Sequence, residues 1–177
     1  MDTKVVLQKF EETATEYIHT LDQYSPEQFA QKPAPDEWSL GQMYQHLLTF
    51  TTYQISLIEK CANGQGEPGG QKTDWGQKLF EKGDFPPIKI KLPDRPEFTP
   101  ENLTDPKQTK EQLLDLVEKV RGAEPKLASA PVENKLHHPR LGWLNALEWF
   151  QLIPMHFRHH LHQKRRLEEE CCSRGGD

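Results

Sequence analysis

The 177-residue chain has no apolar run approaching the about 20 residues that a membrane-crossing helix needs. It has three cysteines, Cys61 alone and Cys171-Cys172 adjacent, too few and too badly spaced for a disulfide framework. That scarcity fits a reducing compartment. The opening Met1-Asp2-Thr3-Lys4 begins no secretory leader, so the expected location is cytoplasmic, with no membrane partner. An excess of positive charge is missing too: 22 Lys and Arg against 27 Asp and Glu leave a formal charge of −5. This excludes a chain whose task is to coat nucleic acid, because phosphate binding needs a basic face. The basic run Lys164-Arg165-Arg166 is followed closely by Glu168, Glu169 and Glu170 and reads as a solvated helix end. Internal repeats, low-complexity tracts, a His-Glu-x-x-His zinc motif and a phosphate-binding glycine loop are all absent.

Hydrophobic residues make up only 34% of the chain, and its 14 prolines and 11 glycines are unevenly spread. The apolar content must therefore sit in a few patterned segments, in a chain the size of one domain. Four long helices carry it. The first covers about residues 3–21, with Val6, Phe10, Tyr17 and Leu21 at helical spacing. A short helical turn follows, with Ser25 as cap and Pro26 at the first helical position.

The second long helix starts at a capping box, Ser39 with Gln42, in which each side chain satisfies the other's backbone donor. Trp38 and Met43 have the spacing of a hydrophobic staple, and the ladder runs Met43, Leu47, Phe50, Tyr53, Leu57, with His46 inside it. Residues 62–105 form a Pro/Gly-rich insert in which only 74–82 can hold a short helix, a length that calls for a job such as lining a site mouth. Asp105 and Pro106 start the third helix, which is expected to bury Leu113, Leu114, Val117 and Val120. Asn145 and Glu148 repeat the capping box at the fourth, with Leu144 and Trp149 as staple. Its inward ladder is Trp149, Ile153, His156, His160, Gln163, Leu167, with Pro154 as an expected kink. The expected fold class is thus all-α, a four-helix bundle with a long crossover between helices two and three. It spans 1–170 as a single domain, with a disordered tail at 171–177.

The chemistry falls to the histidines. His156-x-x-x-His160 places two imidazoles on one helix face, one turn apart, and His46 lies on a second apolar seam. Two readings follow: three core histidines satisfied separately, or one divalent metal ion that satisfies all three. A buried imidazole without a partner costs about 1–3 kcal/mol, and the seams offer few polar partners besides Gln42 and Gln163. Elsewhere, Glu16-x-x-His19 reads as an exposed pair and Cys61 as a core thiol. His137 and His138 read as turn residues before Pro139, and His159 and His162 as surface.

Taken in order, Trp38-Ser39, His46-Leu47, His138-Pro139-x-x-Gly142, Glu148-Trp149 and His156-x-x-x-His160-x-x-Gln163 resemble the DinB-like superfamily. That group includes metal-dependent hydrolases and thiol S-transferases of the YfiT type. The resemblance implies a four-helix bundle, a homodimer, and a three-histidine site for nickel or zinc in which His46, His156 and His160 are the ligands. Two function classes follow. One is an enzyme acting on a small-molecule substrate through an open coordination position, as hydrolase or low-molecular-weight-thiol transferase, with Gln163 behind the ligands and Glu148 occupied by capping. The other is a non-catalytic dimeric bundle, a binding or stress protein in which metal is structural or absent.

Overall fold

Each helix starts where a side chain can take up orphan backbone donors. In the computed structural model, which describes residues 1–88 and 96–172, Asp2 caps α1 (Thr3–Thr20) and Ser25 caps the short α2 (Pro26–Ala30). Ser39 and Gln42 close the capping box of α3 (Leu40–Ala62), with both bonds at 3.0 Å. Thr73 caps α4 (Asp74–Lys82), and Gly83 ends it in the left-handed conformation, at φ 77°. Asp105 accepts from the amides of Lys107 and Gln108 at the start of α5 (Pro106–Ala123). Asn145 and Glu148 exchange bonds of 2.9 Å at the start of α6 (Ala146–Cys172), which continues through the buried Pro154.

The protein is mostly helical. α3 packs on α5 and α6, and α1 packs on the same two helices from the other side. Between them lie Phe10, Tyr17, Tyr44 and Phe157, joined by edge-on aromatic contacts of 5.1–5.6 Å. The Tyr17 hydroxyl donates to the Phe157 carbonyl at 2.6 Å, and the Tyr44 hydroxyl donates to the Tyr17 carbonyl at 2.7 Å. Buried hydroxyls thereby tie three helices together without an unsatisfied donor.

The helical fold class expected from the sequence holds in the main, but a small sheet accompanies it. A three-stranded antiparallel sheet, β1 (Glu67–Pro68), β2 (Asn134–His138) and β3 (Gly142–Asn145), joins the insert to the start of α6. Its strands are too short to announce themselves by alternation. The hairpin depends on Gly142 at φ 84°, where a Cβ would strike the Gln71 carbonyl.

Two ladder positions also differ. Tyr53 is 55% exposed and Leu114 is 46% exposed. The buried faces pass instead through Thr51, Gln54 and Ile55 on α3 and through Leu116 on α5, because each helix packs against two neighbours and its buried stripe is wider than a single ladder.

Lys164 is not part of a solvated end. It is 1% exposed, with its ammonium 2.7 Å from Glu168 and 5.7 Å from the Tyr17 ring centroid. Cys171 and Cys172, expected in a frayed tail, close α6, and Cys171 is buried. The rest of that tail, 173–177, lies outside the described residues. Among the described residues, no helix is long and apolar enough to cross a membrane.

Candidate metal centre

His46 sits in the second turn of α3, where the capping box fixes the start of the helix and the packing of α3 on α6 turns the imidazole inward. His156 and His160 reach the same point from α6, one turn apart. The Nε2 atom of His156 lies 3.0 Å from Nε2 of His46 and 3.0 Å from Nε2 of His160. One ligand atom from each histidine falls within 4.8 Å of the other two. The ring centroids are 4.7–5.0 Å apart, each pair edge to face. The structure therefore brings together all three histidines singled out in the sequence.

Three neutral imidazoles cannot satisfy one another in this geometry. Nε2 of His156 has either one proton or one lone pair, and it faces two nitrogens. Nδ1 of His160 is 2.8 Å from Oε1 of Gln163. An amide oxygen accepts, so Nδ1 carries the proton and Nε2 of His160 is a lone pair directed into the cluster. One cation at the centre would engage all three lone pairs. Ligands at about 2.0–2.1 Å from an ion place nitrogens about 2.8–3.4 Å apart, for octahedral or tetrahedral angles, and the two 3.0 Å spacings fit. The cluster can thus hold a metal ion, and its donors are nitrogen alone among the described residues.

Burial favours the same chemistry. It pushes the His46 imidazole down to about 3, with the charges of His160 and His159 adding to the effect. Burial likewise holds His156 well below the ordinary range, with His160, His46 and His159 contributing. His160 falls to about 4, again mainly by burial, against the Gln163 hydrogen bond that raises it. All three are neutral at neutral pH, the protonation state a metal ligand requires. Nδ1 of His156 is buried without a hydrogen-bond partner.

The other candidates fall where the sequence put them, with one exception. Glu148 is held by its capping bond and by an ion pair with Lys72. Cys61 is a buried core thiol whose pKa burial raises, so nothing activates it. Glu16 pairs with Arg165 at 3.4 Å, and His19 is exposed. His138 Nδ1 accepts from the amides of Arg140 and Leu141 at 3.1 Å, so it does build the turn, and its ring stands 5.4 Å from Trp149.

The exception is His159, which is not a free surface residue. It is half-buried between Phe85 of the insert, at 5.3 Å, and His160, at 5.2 Å. Position 159 lies about 60° around the helix from 156, so a segment laid across α6 beside the cluster covers it. Phe85 was missed because nothing in a Pro-rich stretch marks which ring folds back. Trp38, whose spacing from Met43 marks a staple, also lies with its ring 5.2 Å from that of His46.

Searches of curated proteins and of solved structures found no match. A family model described as the DinB superfamily matches residues 9–163, which takes in all three clustered histidines. With most of its length matched, the chain belongs to the DinB superfamily.

Proposed function

We propose that the chain is a metal-dependent protein of the DinB type, a four-helix bundle of α1, α3, α5 and α6 that acts on a small molecule. His46, His156 and His160 are the ligands of one divalent ion, nickel or zinc. The observation that carries this reading is the meeting of three Nε2 atoms around a point that none of them can satisfy alone, with His160 already in the binding tautomer. When bound, the ion supplies a Lewis acid that polarises a substrate atom or lowers the pKa of a water or thiol.

The chain's own residues do the rest. α6 sets the spacing of two ligands locally, and the packing of α3 brings the third. Gln163 orients His160, as ligand-orienting partners do in metal sites. Three neutral donors leave the ion's full charge uncancelled and leave it room for a further ligand. Hydrolysis of a small molecule and transfer of a low-molecular-weight thiol are the two reactions that such a centre supports. Metal analysis of untagged protein purified without chelator tests the proposal. One equivalent of nickel or zinc per chain is expected. Protein that contains none and takes up none on reconstitution would leave the reading of a non-catalytic dimeric bundle.

A further inference from the structure

The three imidazoles are ringed by aromatic side chains from separate elements. Trp38, from the turn before α3, lies against His46 at 5.2 Å. Phe50, one turn after His46, stacks on it at 5.8 Å and approaches His156 at 4.9 Å. Phe85, beyond the end of α4, covers His159 at 5.3 Å, and His159 meets His160 at 5.2 Å. All three residues are half-buried.

Ion pairs to α6 anchor two of these walls. Asp84, next to Phe85, meets Arg158 at 3.3 Å, and Arg158 also donates to the Gly83 carbonyl at 3.0 Å. Glu37, next to Trp38, meets Arg166 at 3.3 Å. These charges lie in sequence beside Phe85 and Trp38, while the rings themselves lie against the histidines. An anionic group seated among such rings loses its hydration and faces the negative side of their π-systems. A flat apolar group gains offset or edge-on ring contacts.

We infer that these three rings border a mouth to the cluster, and that it selects a small molecule with two parts, a metal-binding head and a flat, uncharged apolar body that lies against Trp38, Phe50 and Phe85. The inference rests on the metal reading above and adds the substrate class. Phe85 is then a specificity element supplied by the insert.

Cobalt-loaded protein and matched hydroxamic acids test it. Acetohydroxamic and benzohydroxamic acid share one chelating head and differ in the body, and 4-carboxybenzohydroxamic acid adds a charge to the ring. Binding is read from the visible cobalt bands. Benzohydroxamic acid is expected to bind about tenfold or more tightly than acetohydroxamic acid, the scale of one aromatic contact set. The added carboxylate should erase that advantage. Trp38→Ala and Phe85→Ala should take up cobalt as the wild type does but lose most of the preference. Equal affinity for the two uncharged acids in cobalt-loaded wild type overturns the inference and leaves the metal site intact. So does a preference that survives both substitutions. No cobalt bands in the wild type would instead overturn the metal reading, and the inference with it.

Discussion

His160 and Gln163 meet at 2.8 Å, ring Nδ1 to amide oxygen, one turn apart on α6. The bond selects one tautomer of a buried imidazole, and with it the direction of the lone pair on Nε2. Gln163→Ala should therefore leave the three ligands in place but weaken the metal site, by about 10–100-fold in affinity. Competition against a graded series of chelators measures this. Wild-type affinity in the variant would mean that the amide does not set the tautomer.

His46 enters the cluster from a distant part of the chain, 110 residues before His156. Its replacement by Ala leaves two ligands on one helix, too few to retain metal against a micromolar chelator. His156→Ala and His160→Ala should lose metal similarly. The apolar core is built without the ion, so in chelator all three variants should melt within a few degrees of wild type. A marked drop seen only when wild type and variants are compared with metal present would assign the ion a structural role. Stoichiometric metal in His46→Ala would refute the site.

His138 gives a pH dependence with a definite sign. Burial, then the charges of His137 and Arg140, lower its pKa to about 4, against about 6.5 in the unfolded chain. Between those values the unfolded state binds the extra proton. The stability from this group is thus fully present above about pH 6.5 and is lost as pH falls toward 4. The neutral ring is also the form whose Nδ1 accepts the amides of Arg140 and Leu141. His138→Asn retains an acceptor that does not titrate. Unfolding free energies in chelator should fall with acidity more steeply in wild type than in the variant, by up to about 1.4 kcal/mol per pH unit. Parallel curves would sink the assignment.

These features differ in how far they could be read in advance. Helix starts were legible because capping is local: Ser25, Ser39, Asp105 and Asn145 all cap as their neighbours within three residues require. The histidine pair was legible for the same reason, and His46 by its place on an apolar seam. The sheet was not, because β1 has two residues and takes its partner from more than 60 positions away. Phe85 and His159 were illegible for a related reason. Only the path of the insert brings them together, and proline content predicts stiffness but not direction. Lys164 was misread because a charged triplet resembles a solvated face, whereas its stem and ammonium pack beside Tyr17 and Glu168.

That buried ion pair makes an asymmetric prediction. Glu168 accepts from Lys164 at 2.7 Å and also from the Tyr24 hydroxyl. Glu168→Ala strands an ammonium that is 1% exposed, at a cost of about 2–3 kcal/mol, since Glu168 itself retains about a quarter of its side-chain exposure. Lys164→Met removes the charge but retains the stem, and should change stability by less than about 1 kcal/mol in either direction. Denaturant midpoints of the two variants measure the difference. Equal costs would show that the pair contributes only as packing.

The insert returns to the bundle at Gly41, and here a substitution that usually helps a helix should harm it. Gly→Ala inside a helix is ordinarily worth about 1 kcal/mol of added stability. At Gly41 a Cβ would lie 2.2 Å from the Leu103 carbonyl oxygen and 3.1 Å from the Leu103 nitrogen. The obstacle is backbone, so no side-chain rotation relieves it. The same segment is tied down on both sides. Ser39 Oγ donates to Asn102 Oδ1 at 2.5 Å, Gln42 Nε2 donates to the Pro100 carbonyl at 3.2 Å, and Asn102 Nδ2 donates to the Ala30 carbonyl at 3.0 Å. Gly41→Ala must break these contacts to make room, so overpacking at a cost of about 1–3 kcal/mol should outweigh the gain in helix propensity. The core of α3 lies on other positions, so the helix should persist while residues 99–105 lift away. Limited proteolysis mapped by mass spectrometry should show new cleavage in that stretch and none within α3. Trp38 sits three residues before Gly41 and next to Ser39, whose hydroxyl bonds Asn102, so the variant should also alter the aromatic wall while still taking up metal. A Gly41→Ala protein more stable than wild type, with no new cleavage, would show that the insert does not press on the start of α3.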